Sequence, residues 1–231
     1  YSIHTKQSRD YHTMALAIFD LDHTLLNGDS DYLWGEYMVA NKIVDADVYQ
    51  RENKAFLDDY LRGDLDNETY LKFALKPLTQ YSIDRLHAWR SDYVSHWIKP
   101  IVAKGTQALL DKHRAQGDEL IIISATNLFI TAPIAELLGI DQILSTEPEI
   151  IDNQYTGRYL GTPTFKEGKV TVLNEWLKNS NHSLSNSYFY SDSINDLPLL
   201  EKVSIPIVVN PDEKLSIVAQ SRNWQILDLR V

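Results

Sequence analysis

Two carboxylates one residue apart close an apolar run, Asp20 and Asp22 in the stretch "AIFDLDHT". Like charges that close repel, so at least one of them needs a cation or a proton nearby. A carboxylate at a strand end can attack phosphorus once a divalent cation and a lysine remove the repulsion between two anions. Asp20 is the candidate nucleophile, which would form an aspartyl phosphate. Asp22 is the candidate acid and base, protonating the departing alkoxide and later deprotonating the water that hydrolyses the intermediate. Thr24 is expected to hold the turn by side chain to backbone hydrogen bonds. Taken alone, the stretch also reads as an acidic turn or a helix N-cap.

The partners such chemistry needs lie far along the chain. Ser124 ends the run "IIIS", where its hydroxyl and the amides that follow, at Ala125 and Thr126, would hold a phosphate oxygen near a helix N-terminus. An ordinary helix cap is the alternative there. Lys169, in "FKEGKVTVL", falls at the start of a helical pattern, where a cation opposes the macrodipole and needs another reason to be present. Lys166 competes with it, but Lys169 leads into the apolar helical face and is better placed to point at a sheet. "YSDSIND" supplies Asp192 at a strand end and Asp196 four residues later. With Asp20 and the backbone carbonyl of Asp22, these are hard oxygen donors suited to Mg2+. Ser193, Asn195 and Asp196, with Thr24, are expected to orient the groups that touch the ion. His87, His96 and His113 fall on helical patterns without a second ligand at metal spacing, which argues against zinc.

Elements far apart in sequence must bring these side chains together. Ala15 to Phe19 is a short apolar run ending at Asp20, as expected for a buried parallel strand. The pattern recurs in "ELIIIS" ending at Ser124, "SYFYSD" ending at Asp192, "SIPIVV" ending at Val209, and "WQILDL". Helical patterns lie between, over Thr106 to Gln116, Asn127 to Leu138 closed by Gly139, Glu167 to Lys178, and Asp196 to Lys202. The alternation predicts an α/β fold, a doubly wound, mostly parallel sheet whose ligands bind at the carboxyl ends of its strands. From about Ser30 to Ile98 the periodicity is helical throughout, which predicts a helical insertion after the first strand, returning through "IKPIV". Its aromatic residues, among them Tyr32, Trp34, Phe56, Tyr60, Tyr70 and Trp97, are read as core packing rather than a platform for stacking bases. "TEPEIIDNQYTGRYLGTPTF" reads as a β-hairpin or loop excursion with its turn in "DNQ".

Bulk properties restrict the setting. A chain of 231 residues, 44% hydrophobic, can bury one good core and carry a smaller appended unit. Its formal net charge of -10 disfavours a broad electrostatic grip on nucleic acid or anionic membrane. With no cysteine, disulfides and thiolate metal sites are excluded. The opening "YSIHTKQSRDYHT", which carries His4 and His12, is polar and precedes Met14, so residues 1–14 are expected to be an extension. No segment has the apolar length to span a bilayer, and a cytoplasmic enzyme is expected.

Taken in order, the four pieces resemble the haloacid dehalogenase-like (HAD) superfamily. "DLDHT" is similar to its first motif, Ser124 to its second, Lys169 to its third and "SDSIND" to its fourth, and the resemblance runs from about Leu16 to the end. A helical insertion between the first two motifs is similar to the cap of the phosphoserine phosphatase-like group, subfamily IB. "GTPTFKEGKV" further resembles a branch of that group that includes histidinol phosphatases. The resemblance implies a Rossmann-like catalytic core over 15–29 and 99–231, a helical cap over 30–98, and a magnesium-dependent phosphoric monoester hydrolase acting on a small-molecule phosphate ester.

Departures from that pattern bear on substrate. His23 stands where relatives carry Ser or Gly, Ser191 where many have Gly, and "SAT" replaces "SGG". Asp29 falls where phosphoserine phosphatases place a glutamate that contacts the substrate ammonium. Their carboxylate-binding arginine falls at Ala74, with only Lys72 and Lys76 nearby, and lysine does not reproduce a bidentate guanidinium. That tilts the expectation from phosphoserine toward a phosphorylated amino alcohol or another small phosphomonoester. A phospho-accepting receiver is the main rival, but it needs neither an acid at Asp22 nor a large helical insertion. A dehalogenase has no use for that acid either, whereas transfer to an alcohol acceptor would pass through the same intermediate. A binding protein on a degenerate phosphatase fold is disfavoured by the complete set of motifs.

Overall fold

The computed structural model describes residues 15–231, so the extension expected at 1–14 lies outside the described residues. The first strand, β1 (Leu16–Phe19), alternates its side chains between two layers. Leu16 and Ile18 enter one hydrophobic cluster while Ala17 and Phe19 enter the other, as the period of two in a strand requires. Four fully buried residues in a row follow from having helices on both faces.

After β1 the chain runs through α1 (Ser30–Ala40), α2 (Ala46–Arg62), α3 (Asn67–Leu75) and α4 (Ile83–Tyr93). Asp29, Asp45 and Asp66 cap the first three through side-chain oxygens, and Gly63 ends α2 at φ 83°. The two crossings of the chain at the base of this helical region are tied together. Leu26 pairs with Val102 in a single antiparallel bridge, Asn27 N donates to Ile101 O at 2.6 Å, and Ala103 N donates to Leu25 O at 3.0 Å.

The alternation then resumes with α5 (Thr106–Gln116), β2 (Glu119–Ser124), α6 (Leu128–Leu138) and β3 (Gln142–Ser145). A two-stranded excursion follows, β4 (Glu147–Ile151) and β5 (Gln154–Leu160), turning at Asp152 and Asn153. Both turn residues have positive φ, as a two-residue hairpin with the right twist demands. The chain continues through α7 (Glu167–Lys178), β6 (Tyr188–Ser191), a short turn over Ile194–Asp196, α8 (Leu197–Leu200), β7 (Ile205–Val209), α9 (Glu213–Ser221) and β8 (Gln225–Leu227).

The six-stranded sheet has the order β3-β2-β1-β6-β7-β8, and every neighbouring pair is parallel. The chain winds outward in one direction from β1 through β2 to β3, and in the other from β6 to β8. The switch point of this doubly wound sheet therefore lies at the carboxyl ends of β1, β2 and β6, where such folds open a crevice for ligand. β3 has no counterpart among the strands expected from sequence, because as an edge strand it is only half-buried and lacks a continuous apolar run. The helix expected over Asp196 to Lys202 is shorter, a tight turn followed by one turn of α8. No helix of the described residues is long and apolar enough to cross a membrane.

Candidate active site

β1, β2 and β6 each deliver a polar residue at the switch point: Asp20 just beyond β1, Ser124 as the last residue of β2, and Asp192 just beyond β6. All three are at least nine-tenths buried. Lys169 enters from the first turn of α7, is 2% exposed, and directs its ammonium at Asp20 Oδ1 (2.7 Å) and Asp196 Oδ2 (2.8 Å). A cation at a helix N-terminus opposes the dipole, and these two carboxylates supply the compensation. Asp196 is itself held by the Ser191 hydroxyl at 2.7 Å. Lys166, the competing lysine, turns away and donates to Gly63 O at the end of α2 at 2.8 Å.

Asp22 is fixed from two sides. Its Oδ1 accepts the Ser30 amide at 2.6 Å, and its Oδ2 accepts the Thr126 hydroxyl at 2.8 Å. Thr126 N in turn donates to Ser124 Oγ at 3.1 Å. Thr24 differs from its expected part, because its hydroxyl donates to Asp192 Oδ1 at 3.1 Å instead of bonding backbone. The tight loop after β1 sends that side chain across to β6. Ser193 caps the following turn through Asn195 N at 3.2 Å, whereas the Asn195 side chain leaves the carboxylates and donates to Tyr60 O of α2 at 3.2 Å.

The electrostatics are those of crowded buried acids. Burial raises Asp20 to about 7; Lys169 opposes that, and Asp196 and Asp22 add to it. Asp192 is pushed well above the usual carboxylate range, first by burial and then by Asp20 and Asp196. Burial would lower the Lys169 ammonium, but Asp196 and Asp20 outweigh it and hold the group above its ordinary value. One lysine is too little positive charge for this many carboxylates.

Lys169 occupies Asp20 Oδ1 and Thr24 occupies Asp192 Oδ1, and no other side chain of the described residues donates to either carboxylate. No three His, Cys, Asp or Glu side chains converge as a metal cage among the described residues. Two carboxylates and the Asp22 carbonyl suit a hard cation that keeps several of its waters, which is the habit of magnesium.

Above these groups lies a cavity with an empty volume of about 560 Å³, its mouth included, in the range of small-ligand pockets. Asp20, Asp22 and the segment Ser124 to Thr126 form its floor. The start of α1 contributes Asp29, Asp31 and Tyr32, and α2 and α3 close it with Phe56, Tyr60 and Tyr70. These aromatic residues, expected to pack in the core, line the cavity as well, while Phe56 still packs on Tyr70 and Phe73. Helical periodicity identifies the inward face of a helix but not whether that face meets packed side chains or an open space. Trp34, Tyr37 and Tyr93 do pack on one another, and Trp34 also meets Phe129 of α6.

Asp29 lines the cavity while its Oδ1 caps α1 through Asp31 N (3.0 Å) and Tyr32 N (2.8 Å). Ala74 is buried in α3, and Lys72 is exposed and paired with Glu68 at 2.9 Å. No lysine or arginine lines the cavity among the described residues. Sequence reasoning missed Asp31. An acid in the first turn of a helix is common enough to carry no signal.

Carboxylates, a lysine and a hydroxyl gather at the switch point of a doubly wound sheet, under a helical roof, and define an α/β protein with a buried polar site at its strand ends. The chain belongs to the haloacid dehalogenase-like hydrolases, whose family model matches residues 17–201. It is 43% identical over 219 residues to a histidinol-phosphatase of Neisseria meningitidis, a match covering 93% of this chain and 99% of that one. It is 29% identical to phosphoserine phosphatase SerB1 of Mycobacterium tuberculosis, covering 94% of this chain and 71% of the other. Among solved structures, a Bordetella pertussis protein of unknown function matches with a TM-score of 0.88 at 42% identity, over 94% of this chain and 99% of that chain. A substrate-bound phosphoserine phosphatase shares the fold, with a TM-score of 0.68 at 18% identity over 94% and 93% of the two chains.

Proposed function

We propose that the protein is a magnesium-dependent phosphatase that hydrolyses a small phosphomonoester through an aspartyl phosphate on Asp20. The observation that carries this reading is the Lys169 ammonium, buried and bonded to both Asp20 and Asp196. It neutralises charge where an anionic nucleophile must meet an anionic phosphoryl group.

In the first step an Asp20 oxygen bonds to phosphorus as the ester P–O bond breaks, and Asp22 gives its proton to the leaving alkoxide. In the second, Asp22 takes a proton from water, the water oxygen bonds to phosphorus, and the Asp20–phosphorus bond breaks to release inorganic phosphate. The Ser30 amide and the Thr126 hydroxyl hold Asp22 in place for both transfers. Ser124 and the Ala125 amide would receive the remaining phosphoryl oxygens, joined by the Thr126 amide once it leaves Ser124 Oγ. Asp20, Asp192 and the Asp22 carbonyl would hold the magnesium ion, which when bound supplies Lewis-acid charge at the phosphoryl oxygens.

The acidic and aromatic cavity supports an amino-alcohol phosphate, histidinol phosphate above all, in keeping with the name of the 43% identical relative. A substrate carboxylate, as in phosphoserine, would meet Asp29 and Asp31 and find no lysine or arginine in the lining among the described residues. Asp20→Asn, prepared free of host phosphatase, should abolish turnover, and Asp22→Asn should lower kcat by about 10²- to 10⁴-fold. Wild-type rate in Asp20→Asn would remove the nucleophile assignment. A higher kcat/KM for phosphoserine than for histidinol phosphate, with magnesium present, would remove the substrate assignment.

A further inference from the structure

One buried acid has no task in the mechanism above. Asp31 lines the cavity from the first turn of α1 and is only 9% exposed. Its Oδ2 accepts the Tyr70 hydroxyl of α3, and its Oδ1 accepts no hydrogen bond among the described residues. Asp29 beside it already spends one oxygen on the α1 cap. Burial, then Asp29 and Asp22, push Asp31 up to about 7, although Tyr70 opposes the rise. A carboxylate with a free oxygen, enclosed among other acids and facing a cavity lined by no lysine or arginine among the described residues, lacks a counter-charge among them. The phosphate end of a ligand belongs at Asp20 and Lys169, so the missing positive charge belongs on its other end.

We propose that Asp31, held by Tyr70, is a second cation-binding group of this cavity, selecting phosphate esters with two basic nitrogens, one met by Asp29 and the other by Asp31. The inference rests on the phosphatase reading and narrows its substrate class. Phe56, Tyr60 and Tyr70 line the same cavity, and an aromatic wall suits a flat cationic ring better than a flexible ammonium chain. Asp31 is thus a specificity-determining residue. It takes no part in bond making at phosphorus.

The test compares kcat/KM for L-histidinol phosphate, which carries two basic nitrogens, with that for phosphoethanolamine, which carries one. Loss of a charged contact is worth about 10- to 100-fold, so Asp31→Asn should lower the histidinol phosphate to phosphoethanolamine ratio by about that factor. An unchanged ratio overturns the proposal. A second measurement needs no variant: L-histidinol and L-phenylalaninol, similar in shape but differing in ring nitrogens, are compared as inhibitors of p-nitrophenyl phosphate hydrolysis by the wild-type protein. L-histidinol should inhibit at the lower concentration by about tenfold or more, and equal inhibition overturns the proposal. A wild-type protein inert toward p-nitrophenyl phosphate would instead count against the phosphatase reading. The two alcohols would then be compared by calorimetry, where equal affinities again overturn the role of Asp31.

Discussion

A carboxyl group enclosed without a cation is easier to protonate than to ionise, and the surroundings of Asp31 set a measurable price on its charge. Asp29 and Asp22 face it from the loop before α1, Tyr70 from α3, and Tyr49 and Tyr93 from α2 and α4, and none of these is a base. Its folded value of about 7 lies above the ordinary 3.8, so between those values the folded protein holds the proton more tightly than the unfolded chain does. Folding stability from this group is full below about pH 4 and is lost as pH rises through 7. Asparagine keeps the shape and can still accept the Tyr70 hydroxyl, but it carries no charge. Asp31→Asn should therefore be more stable than wild type at pH 8 by about 1–4 kcal/mol, raising Tm by several degrees. The gain should shrink as pH falls and approach zero below about pH 4. The other buried acids are common to both proteins and cancel in the comparison, so a gain independent of pH would refute the argument. A residue that costs stability where it carries charge is what a trade between stability and substrate choice leaves behind.

Lys169 depends for its position on the backbone that leads into α7. Residues Pro163 to Gly168 fold tightly, with Phe165 N donating to Pro163 O at 2.9 Å and Gly168 N to Phe165 O at 2.8 Å. A Cβ on Gly168 would stand 2.0 Å from the Pro163 carbonyl oxygen, so no side chain fits without moving the loop. Gly168→Ala should cost about 1–3 kcal/mol of stability. It should also lower kcat by up to about 10²-fold, since a displacement of about 1 Å at a reacting group has that effect. Wild-type Tm and kcat in that variant would show that the loop relaxes freely.

Such contacts mark the limit of what the residues alone reveal. α5 and α7 have the bounds their periodicity suggested, because each has an apolar face to bury and a polar one to expose. The hairpin turn was legible for a chemical reason, since Asp152 and Asn153 tolerate positive φ. The carboxylates of the site were legible as strand ends, where an apolar run stops at an acid. The bond from Thr24 to Asp192, the turn of Asn195 toward α2, and the place of Asp31 in a cavity were not. Each depends on which distant element packs alongside, and no local pattern records that.

Across the whole molecule the helical region of residues 30–98 meets the sheet layer along two unlike seams. On the α4 side the contact is largely apolar: Trp34, packed against Tyr37 and Tyr93, meets the Phe129 ring edge-on, and Arg90 lies over that ring and donates to the Phe129 carbonyl at 2.9 Å. At the end of α2 the contact is polar. Asn195 donates to Tyr60 O (3.2 Å), Lys214 of α9 to Arg62 O (2.8 Å) and Lys166 to Gly63 O (2.8 Å), so three separate segments serve carbonyls of one helix C-terminus. The two ammonium groups also complement the negative end of the α2 dipole. An apolar seam loses its burial energy when it parts, whereas a seam of partly exposed polar bonds exchanges them for water at little net cost. The α2 side should therefore open first, admitting substrate past Tyr60 while the aromatic seam stays closed. Lys166→Ala combined with Lys214→Ala should speed amide hydrogen exchange through residues 46–62 and leave β1 and β2 as protected as in wild type. Equal exchange along α2 in the double variant and the wild type would mean that these bonds do not hold the helix down and that the mouth lies elsewhere.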